Sequence, residues 1–322
     1  KINLRDSKIE MLGTLTILQG CTADLKANIT VGDPEDIIVD EWSSPGEGDS
    51  INIMEQGNNS VKIEGLRSGK TTVTAKSRSI KEWHKTATAQ CDVNVIGVST
   101  RNIYLLKDST SPDSISLDKY LVINIPQDAN FDKNLLKLEN ATFSAGETIN
   151  GNFKYDEDGF VKINISNNEI FGIKPTGNDF VTLRANIRYG EQSRVLEWKV
   201  YVIDVEINPS GALNVEVWNT NKFDVLRSLP ADFDSVETAR VNNDRIDITY
   251  EFDGTDIAIE DKDTDHDGKA DEYDVKGLRL SGDDGVNVEF RVKYSDTLNG
   301  IPVQEKVISR SVIVGKPAID IQ

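Results

Sequence analysis

Apolar residues in this chain recur at every second position, in short runs bounded by Gly, Asn and Asp. Residues 91–96 (Cys-Asp-Val-Asn-Val-Ile), 198–203 and 307–314 show the pattern clearly. A strand sends successive side chains to opposite faces, so this alternation, rich in β-branched residues, predicts half-buried β-strands. Helical periodicity is almost absent. Short helical turns are expected only within 131–138 and 223–238.

The strands repeat as a set. Residues 51–53, 61–70 and 71–75 read as strand, turn, strand, Gly turn, strand; 163–165, 170–177 and 180–185 repeat the order, and 257–259, 273–278 and 286–292 repeat it again. Gly65, Gly172 and Gly277 mark equivalent points, at a period of about 105 residues, the size of one immunoglobulin-like sandwich. The expected class is therefore all-β, with three tandem immunoglobulin-like β-sandwich domains over 1–97, 98–206 and 207–322. No Pro-rich or Gly/Ser-rich linker separates them, which predicts stiff connections.

Length agrees: 322 residues exceed one ordinary sandwich. Mean hydropathy is −0.40 and no run of 18 or more apolar residues occurs, so no membrane span is expected in this segment. The start at Lys1 lacks the apolar stretch of a signal peptide, and Val314-Gly315-Lys316-Pro317 reads as a domain exit, as expected of a piece of a longer protein. The net charge of −18 would repel a polyanion, which argues against a nucleic-acid partner. Cys21 and Cys91 are the only cysteines. An even pair in a β-rich chain points to a disulfide and an oxidising compartment; two free buried thiols are the alternative.

The first 97 residues resemble the bacterial immunoglobulin-like group 2 domain found in intimin- and invasin-like adhesins, S-layer-like proteins and phage virion proteins. The residues that carry the resemblance are Leu25-Lys26-Ala27, Trp42-Ser43-Ser44, the turn over 65–69, Val73-Thr74-Ala75, and Ala87-Thr88-Ala89 leading to Val95. The second and third repeats lack the Trp-Ser-Ser motif. The resemblance implies a spacer or adhesive module without an active site, with Trp42 packed between the sheets. A Cys21–Cys91 bond would tie an early strand to the last one, unlike the antibody arrangement.

One motif carries chemistry. In the third repeat, residues 261–274 read Asp-Lys-Asp-Thr-Asp-His-Asp-Gly-Lys-Ala-Asp-Glu-Tyr-Asp. From Asp263 this is an EF-hand-like calcium loop. Asp263, Asp265 and Asp267 supply side chains at positions 1, 3 and 5, and Gly268 allows the sharp turn. Lys269 offers its carbonyl, and Asp271 and Asp274 fall at positions 9 and 12. Position 12 is usually Glu; the shorter Asp274 arm is expected either to lower affinity or to give way to Glu272, and Asp261 is a candidate further ligand. Crowded carboxylates repel unless a cation or protons intervene. The flanks read as strands, so the loop is expected in a β-hairpin, with calcium stiffening it.

Other chemistry finds no support. The two histidines are His84, on an exposed-looking hairpin, and His266, inside the loop; neither forms a nucleophilic triad or zinc site by spacing. Asn28, Asn58, Asn140 and Asn164 stand in glycosylation frames that chance alone would supply. Nothing identifies a Lys–Asn isopeptide crosslink. Trp83, Trp198 and Trp218 are scattered over the repeats, not aligned on one sheet. The expected role is a non-enzymatic structural or adhesive segment of an extracellular microbial surface protein, an S-layer or adhesin stalk, binding calcium. Its expected partners are itself, neighbouring surface domains, or host or cell-wall glycans. The alternatives are a carbohydrate-binding accessory module of a secreted polysaccharide enzyme and a phage virion decoration protein.

Overall fold

The structure is a computed structural model that describes residues 4–80, 84–110, 115–234, 246–264, 269–296 and 301–317. Strands carry the first repeat: β1 (Lys8–Met11), β2 (Thr14–Leu18), β3 (Thr22–Val31), β4 (Ile37–Ser43), β5 (Ile51–Gly57), β6 (Ser60–Gly65), β7 (Gly69–Ser79) and β8 (Thr88–Thr100). Ten follow in the second: β9 (Ile103–Leu106), β10 (Ile115–Ser116), β11 (Leu121–Asn124), β12 (Leu136–Phe143), β13 (Glu147–Asn150), β14 (Phe153–Asp156), β15 (Val161–Asn164), β16 (Glu169–Gly172), β17 (Val181–Tyr189) and β18 (Gln192–Asn208). The third has β19 (Leu213–Glu216), β20 (Thr220–Ser228), β21 (Ile246–Phe252), β22 (Ile257–Lys262), β23 (Glu272–Gly277), β24 (Val286–Asp296) and β25 (Ile301–Gly315). The two helical turns expected from the sequence appear as 3-10 turns at Lys133–Leu135 and Ala231–Asp234; a third, Leu117–Tyr120, was not foreseen.

The chain divides into two compact units. One holds Lys1–Arg101, Leu121–Asn140 and Arg184–Glu197; the other holds Asn102–Tyr120, Ala141–Leu183 and Trp198–Gln322. In the first unit, the sheet β1-β3-β6-β5 faces β11-β8-β7-β4, with β2 parallel to β8. Cross-sheet contact is direct: Gly65 of β6 lies against Val95 of β8 and Ile17 of β2. In the second unit lie β10-β16-β15-β14-β13 and β19-β25-β24-β21. The remaining sheet has the order β12-β17-β18-β20-β23-β22, with β9 parallel to β18. The chain is thus all-β and built of tandem immunoglobulin-like sandwiches.

Alternation fills the cores as the pattern requires. On β24, Val286, Val288, Phe290, Val292 and Tyr294 are buried at every second position. Phe290 meets Phe223 of the opposing sheet at 5.4 Å and Tyr273 at 5.1 Å between ring centroids. On β7 the buried set is Thr71, Val73, Ala75 and Ser77.

The three marker glycines have one structural reason. Each repeat places a short strand parallel to its last strand: Leu18 pairs Ile96, Leu106 pairs Ile203 and Glu216 pairs Gly315. The marker glycine packs into that pair from the other sheet. A Cβ on Gly65 would lie 2.9 Å from Val95 Cγ1; on Gly172, 2.7 Å from Val202 Cγ1; on Gly277, 2.8 Å from both Val314 Cγ1 and the Glu216 carbonyl oxygen. Val95, Val202 and Val314 occupy equivalent positions, so the same close approach recurs three times. Gly277→Ala therefore forces backbone movement, with an expected loss of about 1–3 kcal/mol. Gly282→Ala, where no atom lies within 4 Å of the added methyl, is expected to leave the unfolding midpoint unchanged. Chemical denaturation of the two variants checks this; equal midpoints would contradict the packing explanation.

Candidate calcium loop and repeated junctions

β22 and β23 pair antiparallel, ending at Lys262 opposite Glu272, so the acidic loop closes a β-hairpin. Asp263, Lys269, Asp271 and Asp274 are described; Asp265, His266, Asp267 and Gly268 lie outside the described residues. Asp271 staples the loop base. Its Oδ2 accepts from the Thr264 backbone N–H at 3.0 Å and from the Thr264 hydroxyl at 2.8 Å, while its Oδ1 takes Arg227 Nη1 at 2.9 Å. The Thr264 hydroxyl above all, with Arg227 adding to it, holds this carboxyl below the usual range. Arg227 Nη2 also donates to the Ala270 carbonyl at 2.6 Å.

Asp274 lies on the outward face of β23, because its neighbours Tyr273 and Val275 point into the core. Lys262 Nζ reaches it at 2.5 Å. Glu272, on the same face, is bound by Lys222. Asp271 and Asp274 are therefore already partnered by cations. Among the described residues, no group of three or more His, Cys, Asp or Glu side chains forms a metal cage.

The expected Cys21–Cys91 disulfide does not form. Both thiols are free and buried. The parallel register explains why: β2 runs from Thr14 opposite Asp92 to Leu18 opposite Ile96. Cys21 follows the far end of β2, whereas Cys91 lies level with its start. At about 3.3 Å per strand residue the two are some 16 Å apart, well outside disulfide reach. The inference of an oxidising compartment loses that support. Burial pushes the Cys91 thiol up to about 11, with the Asp92 charge adding to it, and burial also raises Cys21.

Trp42 is 5% exposed, in the core position that the resemblance implies. Trp198 is buried, Trp218 is 70% exposed, and Trp83 lies outside the described residues. His84 is buried, not exposed as its hairpin suggested, because residue Arg5 bridges to it and Gly32 packs beside its ring. Asn28, Asn58 and Asn140 are exposed and Asn164 is half-buried.

The most specific polar sites are ones that sequence reasoning missed. In the first unit, Gln192 acts as a strand-edge mimic. Its Oε1 accepts from the Leu18 N–H at 2.6 Å and its Nε2 donates to the Thr16 carbonyl at 2.9 Å. Arg194 then donates to the carbonyls of Gln19 and, at 2.9 Å, Val98. The second unit repeats the device one repeat later. Gln304 Oε1 accepts from Leu106 N–H at 2.7 Å and its Nε2 donates to Tyr104 carbonyl at 2.8 Å. Lys306 Nζ reaches the Val205 carbonyl at 3.2 Å and Asp204 Oδ1 at 2.6 Å. Asp204, 2% exposed, takes Lys107 on its other oxygen at 2.9 Å, and that bond raises the Lys107 pKa. Around this junction Tyr104 packs on Tyr201 at 5.3 Å and on Phe233 at 5.1 Å. Glutamine followed two residues later by a basic residue, at the same distance before Val202 and Val314, is the signal that would have found both junctions.

One sheet face is aromatic. The pairing of Phe153 with Asn164, and of both Tyr155 and Phe171 with Lys162, puts these residues on the side of β14–β16 opposite buried Val161 and Ile163. Lys162 Nζ lies 4.8 Å from the Phe153 ring and 5.2 Å from the Phe171 ring.

No protein-family model matches this chain, and no curated protein matches it. Among solved structures it is similar to the I9–I11 tandem from titin, at 10% identity over 97% of this chain and 98% of that one, with a TM-score of 0.32. It is also similar to the three N-terminal domains of the Highly Immunogenic Outer Capsid protein of bacteriophage RB49, at 9% identity over 96% and 100%, TM-score 0.39. Extracellular domains 3–5 of Drosophila OTK match at 10% identity over 98% and 100%, TM-score 0.23. At these scores the superpositions are too loose to argue from; the fold assignment rests on the sheets and cores described above.

The thiols offer a direct check. Without reductant, both Cys21 and Cys91 are expected to alkylate fully in denaturant and slowly in the native chain. A chain that stays unmodified until reductant is added would contradict the register of β2 on β8.

Proposed function

We propose that this chain is a non-enzymatic structural or adhesive stretch of an extracellular microbial surface protein, whose third repeat takes up calcium in the Asp263–Asp274 loop. The repeated junction carries this reading: twice, a glutamine amide and a basic side chain from one repeat close on the main chain of the repeat before it. Such contacts fix neighbouring sandwiches to each other and contribute no reactive group. The acidic surface, at −18 net, favours cation uptake and solubility. In the loop, Asp263, Asp265, Asp267 and the Lys269 carbonyl supply the hard oxygens calcium prefers, and the Asp271–Thr264 staple brings the loop ends together beforehand. Calcium then links the two strands of this acidic hairpin.

A second reading has one observation in its favour. Phe153, Tyr155 and Phe171 share an outward sheet face around Lys162, the kind of surface on which a sugar ring stacks. Glycan-array binding lost in Phe171→Ala would move the account toward a carbohydrate-binding module.

For the first reading, calcium is expected to raise the melting midpoint relative to EGTA. A site with Kd tenfold below the free calcium concentration adds about 1.4 kcal/mol. The variant Asp263→Asn/Asp265→Asn/Asp267→Asn is expected to lose that shift and keep its midpoint in EGTA. A wild-type chain indifferent to calcium, or a shift that survives in the triple variant, would remove calcium from the account.

A further inference from the structure

The turn that ends each repeat's parallel strand is left-handed. It is held by Gly20 (φ 77°) in the first repeat, Asp108 (φ 52°) in the second and Trp218 (φ 69°) in the third. Glycine adopts this conformation freely and aspartate tolerates it; a bulky residue there is strained. The main chain is held alike in the first and third repeats: Gly20 N–H donates to Gly65 carbonyl at 2.7 Å, and Trp218 N–H donates to Gly277 carbonyl at 2.8 Å. Only the side chain differs. Trp218 is 70% exposed, the highest value among the exposed large hydrophobics of the described residues. A strained tryptophan held out to solvent adds nothing to a core, so its use lies outside the repeat.

The first repeat shows what belongs there. The Arg194 guanidinium lies over Gly20, 3.0 Å from where a Cβ would stand, while donating to the Gln19 and Val98 carbonyls. In the second repeat Lys306 donates to the equivalent carbonyl, that of Val205. In the third, the corresponding residue is Pro317, which is exposed. We propose that the Trp218 end of the third repeat is the acceptor for a further immunoglobulin-like sandwich. That sandwich presents Gln and, two residues on, Arg on its last long strand, and its guanidinium stacks on the Trp218 indole. Tryptophan is the strongest cation–π partner, arginine the commonest cation for it, and both are enriched among interface anchors. A basic plug also suits a chain of −18 net charge. The occupant is not a second copy of this chain. Its two Gln-x-basic pairs are engaged internally, and the equivalent positions in the first repeat hold Lys85 and Ala87. This inference is independent of calcium and of any glycan.

The test extends the chain in register. Residues 1–315 are followed directly by a second copy of residues 97–208, which brings its own Gln and Arg to the Trp218 end. Acrylamide quenching assigned to Trp218, by difference from the Trp218→Phe counterparts, is expected to fall severalfold on extension, with a blue-shifted emission. Arg194→Ala in the appended copy is expected to restore it. Equal quenching of Trp218 in the three- and four-repeat chains would overturn the proposal. In the unextended chain, Trp218→Gly is expected to keep or raise the melting midpoint, because it relieves the left-handed strain. A clear fall would make Trp218 a packing residue and overturn the proposal independently.

Discussion

The architecture hangs on one steric fact, the approach of a glycine without a Cβ to a pair of parallel strands. At Gly65, Gly172 and Gly277 the opposing sheet comes so near that a methyl group would sit within 3 Å of a valine methyl. This contact fixes the height of the short strands β2, β9 and β19 along β8, β18 and β25. That height sets which N–H and C=O groups the short strand turns away from its own sheet. In the first two repeats those groups are the ones a glutamine of the next repeat takes up. A packing constraint inside one sandwich thus becomes a docking edge for another.

The junctions are polar, half-buried in the first unit and buried in the second, which makes them more specific than strong. Gln304 is 3% exposed and both ends of its amide are satisfied; Asp204 is 2% exposed and both oxygens carry a lysine. Taking two charges out of water consumes most of their attraction, so such a cluster adds little net stability. Its effect lies in the alternatives it forbids: a shifted docking would leave a buried carboxylate or amide without partners, at a cost of about 1–3 kcal/mol for each neutral group. The aromatic cluster of Tyr104, Tyr201 and Phe233 supplies apolar burial beside it. The acidic hairpin of the third repeat is organised differently: Asp271, Glu272 and Asp274 are half-buried and paired with Arg227, Lys222 and Lys262, and Asp271 staples the base.

Much of the fold could be read from the sequence because it is written in local periodicity. Alternation at 91–96, 198–203 and 307–314 marks the closing strands, and the glycine period marks the repeats, since both are consequences of nearest-neighbour geometry. The acidic loop was equally visible, because its carboxylates are contiguous in sequence. What escaped depends on distant residues. Cys21 and Cys91 are compatible as a pair by number, but a parallel register separates them along β8. His84 on its hairpin gave no sign of the segment that covers it. The partners of Gln192 and Gln304 lie far upstream, and a lone glutamine on a strand looks like any solvated residue. Trp218 reads as one scattered aromatic in the sequence, and only its left-handed backbone angle, like that of Gly20, marks it.

The central claim is that a glutamine amide takes the main chain of the preceding repeat, and native-state hydrogen exchange of Gln304→Ala tests it most directly. The Leu106 amide donates to Gln304 Oε1, whereas the neighbouring Lys107 amide donates to Ile203 within its own sheet. The account predicts that Leu106 exchanges at least about tenfold faster in the variant, a loss of some 1.4 kcal/mol of local protection, while Lys107 stays protected. Unchanged exchange at Leu106, or equal loss at both amides, would contradict it.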